Sequence, residues 1–253
     1  MRICIFCPKK ASTKEDAWPR WLLNRFPVSS TARMDAERGG HGLGNWPITK
    51  PRLQVKWLCD SCNNGWMSRL ENEAKPALES ILDDKLKDIG PSAQSILARW
   101  AVKTAMVLEC IDSNRTWFYS KDERQTMRSA QSLPPRTSVW IAKFINQPNI
   151  YSAAKDLRTT AGNNEAHAYA TTMVFGSLAL QIVSIKTTLV IPENVPLNYD
   201  VRDGPWDQTL VQIWPPSQKS LAWPPHYGLD GDLGLDALTE RLSPAIMNKS
   251  GKK

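Results

Sequence analysis

Long apolar runs are missing from this sequence of 253 residues. No stretch of 18 consecutive apolar residues occurs, and without one no membrane-spanning helix is expected. The opening Met-Arg-Ile-Cys-Ile-Phe-Cys has one basic residue and no apolar segment of signal-peptide length, so a reducing cytoplasm is the expected compartment. Cysteine is scarce, with five residues in all, and in that compartment disulfides are not expected. Internal repeats are absent too. Composition is not extreme: 42% hydrophobic and 23% charged residues set aside the disordered and fibrous classes. The length suits one large domain or two small ones, and two are expected, residues 1–88 and 89–253.

The few cysteines are arranged. Cys4, Cys7, Cys59 and Cys62 form two Cys-x-x-Cys pairs, and Cys110 is left over inside the apolar "WAVKTAMVLECI" as a small buried hydrophobe. One such pair alone could be a redox site. Two pairs can close a tetrahedral zinc site, each turn supplying two sulfurs at about 2.3 Å from the ion. The long gap between Cys7 and Cys59 requires the chain to leave and return.

Charge is uneven. Residues 1–58 hold 11 Lys and Arg against 4 Asp and Glu, a balance of +7, while the remainder holds 21 of each sign. Such an excess can be an ordinary solvated face. Beside a metal site it is also the electrostatic footprint of a phosphate-backbone partner, with Lys9, Lys10, Lys14, Arg20 and Arg25 as candidate contacts. Those contacts would position a duplex without reading its sequence. Trp18 and Trp21 could stack on bases, or could cover the cysteine hairpin.

Patterning then predicts the elements. "RICIF" suits a strand, residues 24–54 a long loop with glycine joints, and "RLQVKWLC" a second strand entering the second cysteine turn. Apolar spacing from Trp66 to Leu82 predicts a helix, which Pro76 should kink or split. Residues 93–111 should be a core helix with Pro91 marking its start. Strands follow at "TWFYS", "TSVWIAKFI" and "QTLVQIWPP". A hairpin pairs "AHAYATTMVF" with "LALQIVSIKT" across Gly176 and Ser177. "LGLDALTERLS" reads as a late helix.

In order, the chain offers a cysteine pair, the acidic "TKEDAWP", a strand, and "LCDSCNNGWMSRLE", in which Asn63 follows the last cysteine and opens a helix. This order resembles the four-cysteine branch of the HNH, or ββα-metal, endonuclease superfamily over roughly residues 4–75. The resemblance implies a structural Zn²⁺ on Cys4, Cys7, Cys59 and Cys62. It also implies a second, catalytic ion, Mg²⁺ or Mn²⁺, on Glu15 and Asn63. The family's catalytic histidine falls at Asp16, and an Asp at about 3.9 is a poorer proton acceptor than a His at about 6.5. His41, in the glycine-rich stretch, could stand in as a base. His167 and His226 are given no role. Apart from any resemblance, a carboxylate and an amide oxygen are hard ligands suited to Mg²⁺ or Mn²⁺. Asn63 could equally be a helix N-cap and Glu15 a solvated acid.

The expected fold is therefore α+β: a zinc-stapled, treble-clef-like ββα-metal module, then a helix and a mainly antiparallel sheet. The expected function is metal-dependent hydrolysis of a DNA phosphodiester, with Glu15 and Asn63 on the ion and Asp16 near the attacking water. The other reading is a zinc-stabilised nucleic-acid-binding or adaptor module whose catalysis has lapsed. For the second domain, target selection, protein contact and oligomerisation all remain open.

Overall fold

The computed structural model describes residues 2–26, 32–38, 41–48, 54–111, 117–146, 150–161, 164–188 and 205–241. The fold is mixed α and β. Strand β1 (Thr13–Asp16) leads into a short helix α1 (Arg20–Leu23), then β2 (Ala32–Arg38), β3 (His41–Ile48) and β4 (Gln54–Leu58). A π-helical turn, Ser61–Met67, runs into helix α2 (Ser68–Leu82). Strand β5 (Asp88–Ile89) precedes the long helix α3 (Pro91–Leu108) and helix α4 (Lys121–Ala130). The rest is β6 (Thr137–Ile145), β7 (Ile150–Ala161), β8 (Asn164–Phe175), β9 (Leu178–Thr187), α5 (Trp206–Thr209), β10 (Leu210–Trp214), β11 (Leu221–Ala222), β12 (Leu229–Asp230) and α6 (Gly231–Glu240). None of the described helices is long and apolar enough to cross a membrane.

Two sheets matter for the site. β1 and β4 form an antiparallel pair that sets Glu15 opposite Val55 and Asp16 opposite Gln54. The large sheet has the order β10-β6-β9-β8-β7-β2-β3, with β12 alongside β6. It is mainly antiparallel, the parallel pairs being β2 with β7 and β12 with β6. Central strands β6 and β9 read as nearly unbroken apolar runs because both of their faces are covered. On β6 and β9, Val139, Ile141, Leu180 and Ile182 join the core that runs under α3 and α2 to the cysteine turns. Their neighbours Trp140, Ala142, Ala179 and Val183 pack on the other face with Leu235 and Leu238 of α6.

One aromatic chain ties these parts together. Phe175 at the end of β8 lies 6.2 Å from both Trp18 and Trp100 in edge-on geometry, so the hairpin region, α3 and the sheet meet at a single ring. Trp18 is fully buried, which removes it as a base-stacking platform. Gly176 has φ +54°, and a Cβ there would come 2.8 Å from the Phe26 ring; glycine lets the β8–β9 turn form at that spot.

Several sequence expectations are corrected. The stretch read as a loop contains β2 and β3, and β2 extends the large sheet beside β7. Gly42 and Gly44 sit at a register shift, where Ala36 faces Gly44 and Glu37 faces Gly42, so these two mark a bulge rather than open coil; the remainder of the stretch between the strands lies outside the described residues. His41 accordingly opens a strand. "RICIF" makes one isolated bridge, Ile3 to Lys10, because its residues bend into the cysteine turn. α2 is not split at Pro76, since Ala74 and Leu78 on either side keep the helix packed on the core. Within "TWFYS", the described residues Trp117–Ser120 form no strand; Ser120 caps α4 in a reciprocal box with Glu123.

Because Phe175 joins three parts of one core, Phe175→Ala is expected to lower stability by about 3–5 kcal/mol. Denaturant unfolding followed by tryptophan fluorescence and by circular dichroism should shift together. A shift in one probe alone would contradict a shared core.

Candidate metal centre

The two cysteine turns converge. Backbone bonds hold the first, Cys4 N–H to Lys9 O at 2.8 Å and Ile5 N–H to Trp57 O at 3.0 Å. The second is a helical start, with Cys62 and Asn63 N–H groups both donating to Cys59 O. Phe6, from the first turn, packs edge-on against Trp66, from the second, at 5.0 Å. Gly65 between them leaves helical geometry, with φ −95° and ψ −107°.

All four sulfurs, of Cys4, Cys7, Cys59 and Cys62, are buried and lie within 4.8 Å of one another. Cys7 Sγ is 3.4 Å from Cys59 Sγ and 3.6 Å from Cys62 Sγ. Those separations are far beyond a disulfide bond of about 2.05 Å. They are close to the roughly 3.8 Å that separates sulfurs placed tetrahedrally about 2.3 Å from one ion. The donor set therefore fits a metal ion. Without a cation the thiols share acidity unevenly: its hydrogen bond with Cys62 pulls Cys4 down to about 4, and the same pairing pushes Cys62 up. Cys110 stands apart, buried, its thiol donating to Met106 O at 3.2 Å.

Beside the cluster, β1 and the π-helical turn bring Glu15 and Asn63 together. The Asn63 side chain lies beside the Glu15 carboxylate and favours its ionised form, and its Nδ2 donates to Thr13 Oγ1 at 3.2 Å. Asn63 thus does not act as an N-cap, since its side chain reaches across to β1. Glu15 is not a solvated acid either. Burial pushes its carboxyl up to about 7; the Lys103 ammonium opposes this, Glu71 and Asp16 push further, and the Asn63 side chain opposes them.

Asp16 faces away, because successive strand residues point to opposite sides. Its Oδ2 accepts from Arg20 Nε and its Oδ1 from Gln54 Nε2, both at 2.9 Å. Of the five candidate cations, Lys9, Lys10 and Lys14 are exposed, with Lys9 Nζ donating to Ser61 Oγ at 3.3 Å. Arg20 is paired with Asp16, and Arg25 with Asp83. Trp21 donates from Nε1 to Glu71 Oε1 at 3.1 Å, anchoring a helix rather than offering a free face.

Glu71 and Lys103 were missed in the sequence. Lys103 is 2% exposed on α3, and burial pulls its ammonium below the usual lysine range while Glu15 and Glu71 oppose the fall. Its signal was there to read: one charge inside the mainly apolar C-terminal half of α3, "WAVKTAMVL". Comparison with family models, curated proteins and solved structures returns no match to this chain. Functional assignment therefore rests on this geometry.

The raised Glu15 carboxyl gives a pH test with a definite sign. Between the unfolded value near 4.5 and about 7 the folded state holds the extra proton, so stability falls as pH rises through that window. In protein without added divalent ions, Glu15→Gln should stabilise the chain at pH 8 and make little difference at pH 4.5. Thermal unfolding at the two pH values measures this; an equal effect at both would contradict it.

Proposed function

We propose that the chain is a metal-dependent endonuclease of the HNH type that hydrolyses a DNA phosphodiester. In this reading the four cysteines hold a structural zinc ion that staples a treble-clef-like ββα hairpin. Glu15 and Asn63 hold Mg²⁺ or Mn²⁺. One observation carries it: a partly desolvated carboxylate and an amide, remote in sequence, meet directly behind the last cysteine of a four-sulfur cluster. With Nδ2 given to Thr13, the Asn63 amide has its carbonyl oxygen left to offer a cation. Two oxygens plus waters suit a hard ion that keeps open positions. When bound, that ion would polarise the phosphate and stabilise the leaving oxygen.

The chain's own residues do the rest. Lys9, Lys10 and Lys14, exposed near the hairpin, position the duplex through its phosphates, so affinity should fall steeply with salt. Arg20 and Arg25 would have to exchange Asp16 and Asp83 for phosphate. Asp16 would accept a proton from the attacking water only after leaving Gln54 or Arg20.

That engagement of both Asp16 oxygens favours a second reading, in which the hairpin binds nucleic acid and no longer cuts. Single-turnover cleavage of duplex DNA with Mn²⁺ separates the two. The double variant Glu15→Ala, Asn63→Ala should be inactive. Asp16→Ala should lose about 10² to 10⁴ in rate and Asp16→His should keep or gain activity. Equal cleavage by parent and double variant would overturn the metal assignment; binding without cleavage by the parent would favour the second reading.

Zinc has its own test. Structural tetrathiolate sites contribute on the order of 10 kcal/mol in small peptides, so Cys59→Ser should lose zinc and unfold at lower temperature. Elemental analysis that finds no zinc in the parent would contradict this.

A further inference from the structure

Helix α3 brings to this centre a charge that the reading above does not use. Lys103 is 2% exposed, and its Nζ makes no hydrogen bond among the described residues. Its ring neighbour is Trp100, 5.9 Å from Nζ to the ring centroid. A buried ammonium without hydrogen bonds is retained only where opposite charge compensates it. The charges acting on Lys103 are Glu15 on β1 and Glu71 on α2. Glu71 is itself pinned by Trp21 through Oε1. The remaining acid nearby, Asp16, is balanced by Arg20 on the other side of β1.

Glu15, Glu71 and Lys103 together carry a net charge of −1 when ionised. A divalent ion added to this set makes it +1, and one phosphodiester then makes it neutral. Without Lys103 the set would be −2, the ion alone would neutralise it, and no excess would remain to attract a phosphate. With Lys103 buried and Glu15 and Glu71 partly buried, such unit differences are screened less than at the open surface.

We propose that Lys103 is a positioning residue that sets the charge of the Glu15–Asn63 centre, so that a divalent ion and a phosphodiester bind there as a pair. This rests on the divalent-ion reading of Glu15 and Asn63. It gives α3, outside the cysteine hairpin, a direct part in the site. It also makes Lys103 weaken the ion on its own and strengthen the phosphate that follows, a pattern that a merely structural lysine does not produce.

Calorimetric titration of zinc-loaded protein with MnCl₂, and then of a short DNA duplex in Ca²⁺, tests the pattern. Lys103→Met should bind Mn²⁺ about tenfold more tightly and the duplex at least about fivefold more weakly. Glu71→Gln, which removes a negative charge, should weaken Mn²⁺. Lys103→Gln repeats the test with a polar side chain in case methionine perturbs packing, and zinc content and circular dichroism check folding. Unchanged or weaker Mn²⁺ binding in both Lys103 variants, or unchanged duplex affinity, overturns the inference. If Glu15→Gln weakens Mn²⁺ while Lys103 variants leave it alone, the inference falls and the divalent-ion reading stands. If the parent binds no Mn²⁺, or Glu15→Gln does not weaken it, both fall.

Discussion

Four cysteine sulfurs within 4.8 Å of one another are the constraint on which the rest of the centre depends. They are supplied by two turns far apart in sequence, and closing that distance fixes β4 against β1. The closure is tight enough that Phe6 and Trp66 pack across it. Everything of chemical interest then follows by position. Asn63 is the residue after the last sulfur, and Glu15 is the β1 residue opposite Val55, so joining the turns also joins these two. A thiol cluster of this kind suits a cation, because four contacting sulfurs cannot all become thiolates without one.

The centre is also shaped by what lies behind it. α2 and α3 pack against the cysteine hairpin and continue into the core under the large sheet, which leaves Glu15 partly buried. Burial is the largest influence on its carboxyl, and the two carboxylates and one ammonium around it adjust that influence without cancelling it. Desolvation of this kind makes an acid receptive to a proton or to a cation. Asp16, one residue on, has a different environment, with Arg20 and Gln54 taking both oxygens. Adjacent carboxylates on one strand are thereby given separate surroundings by the pleat alone.

Much of this was legible in the sequence where the signal is local. The paired cysteines, the β8–β9 hairpin across Gly176, β6, β10, α3 and α6 follow from spacing, turn chemistry and apolar period. Legibility failed where a long-range partner decides. Glycine-rich residues 39–44 read as coil, yet β3 is held by pairing with β2, and β2 by β7, across more than a hundred residues. β7 itself, "IYSAAKDLRTTA", alternates poorly and was not anticipated. α4 has a readable start in the Ser120 and Glu123 capping box, but the aromatic run just before it carries a competing strand signal. Glu15 and Asn63 could be named from order alone. Lys103 and Glu71 could not, because their part depends on how α2 and α3 pack on β1.

Crystals of zinc-loaded protein soaked in MnCl₂, with anomalous differences collected at the zinc and manganese edges, test the central claim most directly. The account predicts two separate sites in each chain: zinc among the sulfurs of Cys4, Cys7, Cys59 and Cys62, and manganese against the oxygens of Glu15 and Asn63. Manganese bound elsewhere, or absent beside an intact zinc site, would contradict it.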